Sequence, residues 1–356
     1  MAVTRVRAHL GDALAWSPEA KFDRRRLIVS IVAMAVPMLA GLALGRPKLG
    51  YLLGLGAMLL ASETPGEGEA HGARAAILPA VAAVAATLLI APFAWRDATM
   101  VALVTAAATL VNYSRPAAIA GMRFIVLLVL NLGLTGGAHG GGAALLFGIG
   151  ALWRLAVRLV AARRPTASPA PAPAEPERTP TPAQRRIHWQ RMLKTRAGWQ
   201  FALRLGGGLA LACAIRDAWP SHHFGWIVLS IVLLTPRELE HLPVKITQRA
   251  IGTVLGVALT GALLHFVPSH VVLALIACLC GIAAPLLRPG NYAAYCVVAT
   301  PVILLAMDAG GTVDAAMLDD RLIATLAASA IVVAANLAVD LWLRAAPGRK
   351  GTGPAD

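Results

Sequence analysis

The sequence predicts an all-α fold, a polytopic transmembrane helical bundle of two six-helix repeats with about 12 spans. Three observations predict it. Apolar segments of membrane length follow one another along nearly the whole chain. The composition, 58% hydrophobic and 14% charged, lies far outside a soluble domain's balance. The two halves also match each other across a single basic, proline-rich linker.

Residues 1–26 are charged and form a cytoplasmic N-terminal segment without the short apolar core of a cleavable signal, so the first span is expected to stay as an anchor. The first repeat, 27–162, holds candidate helices at 27–45, 49–61, 74–94, 98–113, 118–135 and 142–162. Residues 163–198 are the linker: a Pro/Ala tract that cannot build a core, then a basic and aromatic stretch around Ile187-His188-Trp189. That stretch reads either as an amphipathic helix on anionic lipid or as a solvated spacer. The second repeat, 199–343, repeats the order at 199–217, 223–235, 248–267, 270–287, 292–307 and 318–343, and 344–356 is a cytoplasmic tail. The runs 49–61 and 223–235 are roughly 20 Å long as helices, too short to cross unaided. Paired short segments of this kind point to the binding site of a repeat transporter, with a plain tilted helix as the alternative.

The halves align where Gly50-Tyr51 leads to Arg74 and Gly225-Trp226 leads to Arg249 at the same spacing. Arg115-Pro116 likewise matches Arg288-Pro289, each followed by an apolar helix ending at a double glycine, Gly136-Gly137 or Gly310-Gly311. Basic residues before the first span, through the linker and after the last place both termini and the linker in the cytoplasm. The formal net charge of +14 therefore marks topology, and nucleic acid is not an expected partner. Cys213, Cys278, Cys280 and Cys296 lie in apolar runs and read as buried packing thiols. No cofactor and no metal are expected, and His222-His223 lack further ligands nearby in sequence. The chain has no His/Glu metal motif, Gly-x-Ser-x-Gly elbow or phosphate-binding loop, so an enzyme is not expected.

Cations inside spans are costly and usually face a cavity, which singles out Arg123 in the fifth span. Arg204 and Arg321 are closer to span ends, where snorkelling to a headgroup competes. Arg249 opens a span and is followed by Gly252, Thr253 and Gly256 on the same helix face. The small residues read as a helix-packing seam, and Arg249 either faces lipid phosphate or guides an anion inward. Tyr292 and Tyr295 share a face of the eleventh span, ready to stack on an aromatic ring or to anchor the helix end. Thr300-Pro301 frees a carbonyl near mid-membrane. Asp308 and Asp320 flank an outer loop as solvated acids or as proton-coupling groups.

Three stretches resemble the fusaric acid resistance protein-like (FUSC) integral membrane transporters, which include aromatic acid exporters and are related to plant aluminium-activated malate transporters. They are Phe224-Gly225-Trp226 with its run to Thr235-Pro236, the Arg249-x-x-Gly252-Thr253-x-x-x-Gly256 pattern, and Tyr292 to Thr300 followed by Arg321. The resemblance covers 199–343, and the first half only in layout. Arg74 lacks a following Gly-Thr, and a short linker stands where larger family members carry a cytosolic domain. The resemblance implies a bacterial inner-membrane secondary transporter exporting small organic anions, aromatic carboxylic acids above all, by proton coupling. Arg123, Arg249, Tyr292, Tyr295 and Thr300 would then bind substrate, and Asp308 or Asp320 would couple protons. Membrane lipids and the organic anion are the expected partners, with homo-oligomerisation left open. A passive anion channel and a non-transporting membrane scaffold are the alternatives.

Overall fold

The computed structural model describes residues 11, 14–17, 23–59, 69–134, 140–162, 180–235, 242–308 and 315–345. Their regular structure is helical. In chain order the helices are α1 (Arg24–Ala43), α2 (Pro47–Leu59), α3 (Glu69–Ile90), α4 (Arg96–Ala108), α5 (Arg115–Leu134) and α6 (Gly140–Ala162). The linker itself holds α7 (Pro182–Leu193), and then come α8 (Arg196–Ala218), α9 (Gly225–Leu234), α10 (Leu242–Phe266), α11 (His270–Leu287), α12 (Tyr292–Asp308) and α13 (Ala315–Arg344).

Helix ends follow local chemistry. Asp23 caps α1 by accepting from the Arg25 N–H at 2.8 Å, and Thr195 caps α8 by accepting from the Gly198 N–H at 3.1 Å. Thr181 and Gln184 form a reciprocal capping box on α7, with Pro182 in its first turn. The α1–α2 turn closes through Gly45 at φ 64°: its N–H donates to Leu42 O and the Arg46 N–H donates to Gly41 O. Only glycine takes that left-handed position without strain. Helices α1 and α2 then touch backbone to backbone, since a Cβ on Gly41 would lie 2.8 Å from Gly50.

Among the described residues, six helical segments are long and apolar enough to cross a membrane: Arg24–Ala43, Arg115–Leu132, Arg196–Ala218, Val244–Phe266, His270–Leu287 and Ala316–Arg344. Ile77–Ile90, Gly225–Leu234 and Tyr292–Ala306 are apolar but shorter. The expected fourth span divides because α4 tightens at Thr109–Asn112 into a 3₁₀ turn. The short run at 223–235 is the innermost helix: Trp226, Ile227, Val228, Leu229, Ser230, Ile231, Val232 and Leu234 of α9 are all buried. A helix apolar on every face needs protein or lipid around it, and around α9 it is protein. Leu78, Leu89, Phe266, Leu279, Leu326 and Leu341 stand exposed on the outer helices, as a lipid-facing surface requires.

Within the first six helices α2 packs on α6, α1 on α2, α3 on α5 and α6, and α4 on α5. Within the last six α9 packs on α13, α8 on α9, α10 on α12 and α13, and α11 on α12. The two sets are joined where α4 meets α8, α1 meets α11, α5 meets α9 and α2 meets α12. Polar links reinforce these joints: the Asn112 amide donates to Gly198 O at 2.8 Å, and Arg216 pairs with Asp97 at 2.7 Å. The linker helix α7 docks at the end of α4, where Trp189 Nε1 donates to Thr109 O at 3.2 Å and its ring meets Tyr113 edge-on at 6.4 Å.

Candidate functional site

The site lies where α9, α10, α12 and α13 converge, and the close approach of α10 to α12 sets it. A Cβ on Gly252 would lie 2.5 Å from Cys296 Cβ and 2.6 Å from Ala293 O. One on Gly256 would lie 2.7 Å from Thr300 Cβ and 2.9 Å from Val297 O. That Val297 carbonyl is the one Pro301, lacking an N–H, leaves without its helical donor. The Thr300 hydroxyl itself donates to Cys296 O at 2.8 Å.

This approach brings Arg249, one turn before Gly252, against α12. Its Nη1 donates to Tyr292 Oη at 3.2 Å, and its Nη2 reaches Ser230 Oγ on α9 at a long 3.4 Å. From α13, Arg321 lays its guanidinium 4.3 Å over the Trp226 ring. Both arginines are nearly sealed from solvent, at 3% and 2% exposure. They line one cavity of about 20 Å³ together with Thr253, Tyr295, Cys296 and Thr300, and none of its lining residues is acidic. Among the described residues, Arg249 Nε and Arg321 Nε and Nη1 meet no hydrogen-bond acceptor.

Two further cations lead to this cavity. Lys245, one turn before Arg249 on α10, is half-buried with its Nζ 5.9 Å from the centre of the Tyr292 ring. Arg288, at the end of α11, is exposed and lies 5.5 Å over the Tyr295 ring. The two tyrosines stack on each other, ring centres 5.5 Å apart. Positive charge thus runs from the exposed Arg288 through Lys245 to the buried Arg249 and Arg321. Residues 14–17 border this mouth: the Ser17 N–H donates to Gly290 O at 2.7 Å and the Asn291 amide donates to Leu14 O at 2.9 Å.

Of the residues singled out by sequence, Arg249, Thr253, Tyr292, Tyr295 and Thr300 meet at this place. Arg123 does not: it is buried on α5, but at the cavity α5 is represented by Leu130, about two turns further along. Arg204 and Arg321 do not snorkel. Both are 2% exposed, Arg204 donating to Asn336 Oδ1 at 2.6 Å. Asp320 precedes Arg321 and is also buried, accepting from His222 Nδ1 at 2.8 Å, the His223 N–H at 2.7 Å and His223 Nδ1 at 3.0 Å. The Asp308 side chain lies outside the described residues. Sequence reasoning missed Lys245 and Arg288 as parts of the site. Lys245 had a spacing signal, standing four before Arg249 on one helix, whereas Arg288 closes a different helix from the tyrosines and had none.

Chemically, two guanidiniums with unused donors, at a cavity whose described lining holds no carboxylate, are suited to bonding a planar anion. Burying two cations with no carboxylate among the described residues beside them costs several kcal/mol each. The cavity has room for about one water, so this is a closed arrangement that must widen to admit a ring.

The family model described as fusaric acid resistance protein-like matches residues 211–335. That stretch carries Arg249, Tyr292, Tyr295, Asp320 and Arg321. No curated protein and no solved structure shows a significant match. The family suggests a membrane transporter or exporter. The chain is therefore a multi-pass membrane protein in which residues 211–335 are similar to the fusaric acid resistance protein-like family.

Proposed function

We propose that the chain is a secondary transporter exporting small organic anions, with aromatic carboxylic acids as the substrate class and proton movement as the coupled step. The observation that carries this reading is the pair of buried arginines at one cavity with no acidic partner among the described residues. A planar carboxylate fits the fork of a guanidinium, and the tyrosine pair beside Arg249 offers an aromatic face once the helices part. Arg288 and Lys245 draw the anion in from the basic side of the bundle.

Twelve membrane segments in two equivalent halves suit this reading. Every packing pair named above within α1–α6 has its counterpart in α8–α13, and the joints α4–α8 and α1–α11 exchange under the same correspondence, as do α5–α9 and α2–α12. The short helices α2 and α9 occupy equivalent places. Parallel repeats about an axis along the membrane normal generate this pattern, with the basic termini and linker in the cytoplasm of a bacterial inner membrane.

Asp320 is the coupling group in this scheme, since a proton on it would weaken its three contacts with the His222-His223 loop beside Arg321. Asp320→Asn is expected to abolish uphill accumulation in proteoliposomes while leaving anion exchange down a gradient within about threefold of wild type, as loss of coupling without loss of the binding cations requires. Unchanged uphill transport would remove Asp320 from the scheme.

A passive anion channel is the second reading, favoured by the absence of an acid from the cavity lining. Uptake of benzoate-type acids into proteoliposomes, corrected for passive permeation and measured with and without an imposed proton gradient, separates the two. Accumulation above equilibrium that collapses with a protonophore supports the transporter. Gradient-independent equilibration supports the channel, and absence of flux with the whole acid panel overturns both.

A further inference from the structure

A second concavity lies away from the cationic path, on the surface of the first six helices. It is an apolar groove of about 450 Å³ between Leu78 and Ala82 of α3, Leu110 of the 3₁₀ turn, and Ala117, Ala120 and Phe124 of α5. One end of the groove meets an interfacial cluster. Leu110 follows Thr109, whose carbonyl accepts from Trp189 of α7, and Tyr113 packs edge-on against the same indole. Trp and Tyr at the end of apolar helices mark headgroup level.

That end is basic as well. Arg115 adjoins the groove residue Pro116 and is exposed. Arg185 stands one turn before Trp189 on α7, and Arg186 and Arg191 are exposed on the same helix. Residues 180–198 contain no Asp or Glu to neutralise them.

We propose that this groove is a binding site for one anionic phospholipid, its acyl chain along α3 and α5 and its phosphate headgroup held by Arg115, Arg185 and Arg186. Charge complementarity selects this occupant: the apolar groove ends beside exposed Arg115 and at the α7 contact, and α7 carries Arg185 and Arg186. A second copy of the chain would bring the same basic rim against itself. The site gives α7 a role apart from transport, pinning the start of the second half to the membrane surface through lipid.

The test uses the full chain in nanodiscs made of equal amounts of dioleoyl-phosphatidylglycerol and dioleoyl-phosphatidylcholine, with retained lipid read by native mass spectrometry after release. Wild type is expected to retain one phosphatidylglycerol in preference to phosphatidylcholine by about tenfold or more, from roughly fivefold per engaged basic residue. Arg115→Gln/Arg185→Gln/Arg186→Gln removes all three headgroup cations and is expected to bring the preference close to one. Ala120→Phe fills the groove and is expected to remove the retained lipid of either headgroup. Equal retention of the two lipids by wild type would overturn the proposal. So would a preference that survives the arginine substitutions, which remain decisive if the groove-filling variant fails to fold.

Discussion

Arg321→Met is expected to weaken organic-anion transport severely and at the same time to raise the thermal stability of the protein. The side chain is 2% exposed, lines the cavity with Arg249, and leaves Nε and Nη1 without acceptors. Its visible compensation is the Trp226 ring at 4.3 Å, worth about 2 kcal/mol when desolvated. The desolvation of a buried guanidinium costs several kcal/mol, and the like charge of Arg249 across a small cavity adds to that cost. An isosteric apolar chain relieves both, so a gain of about 1–3 kcal/mol in unfolding free energy is expected. Transport should fall by about 10- to 150-fold, the equivalent of one charged hydrogen bond lost from the bound anion. Arg249→Gln should lower transport as much with a smaller gain in stability, because Tyr292 and Ser230 lose a donor. Arg204→Met supplies the opposite sign: that arginine is bonded to Asn336, and its loss leaves a buried amide oxygen unpaired, costing about 1–3 kcal/mol. Uptake in proteoliposomes and unfolding in mixed micelles measure the two quantities separately. A less stable Arg321→Met that transports normally would remove Arg321 from the site and the anion-receptor reading with it.

The helices themselves were legible because their signal is local. Each candidate segment contains a helix, and Gly45, Pro47, Ser269 and Thr195 mark where chains turn for reasons readable one residue at a time. How many of them cross the bilayer was less legible. Hydropathy reports that α9 is apolar but not that protein encloses it on all sides, and the break of α4 into a 3₁₀ turn has no hydropathy signature. The site divides along the same line. Arg249, Gly252 and Gly256 share one face of one helix, so period alone places them together. Arg321 and Arg123 look alike in sequence, each a cation within or beside an apolar run. Only the packing of α13 on α9 buries Arg321 over Trp226, and only the position of Leu130 shows that α5 approaches the cavity about two turns beyond Arg123. Partnership across helices is a tertiary property, and Asp320 with His222 and His223, almost a hundred residues away in sequence, is the plainest instance.

Gly252→Ala is expected to destabilise the protein and to disable the site by the same displacement. Added carbon at this position would lie 2.5 Å from Cys296 Cβ and 2.6 Å from Ala293 O, and the second of these is backbone that cannot rotate away. Helices α10 and α12 must therefore separate, at a cost of about 1–3 kcal/mol for overpacking by one methyl group. Gly256→Ala meets Thr300 Cβ at 2.7 Å and Val297 O at 2.9 Å on the same seam and should cost a similar amount. Once one substitution has moved the helices apart the other finds room, so the double variant should cost less than the sum of the two. Gly207→Ala provides the contrast, since a Cβ there meets nothing within 4 Å, and alanine in a helix interior should stabilise by about 0.5–1 kcal/mol. The separation also lengthens the Arg249–Tyr292 hydrogen bond, already 3.2 Å, so transport by Gly252→Ala should fall further than its loss of folded protein explains. Unfolding titrations in mixed micelles, paired with uptake normalised to folded protein, read both effects. A Gly252→Ala protein as stable and as active as wild type would mean that α10 and α12 do not hold this contact, and the geometry that aligns Arg249 with the tyrosines would fall with it.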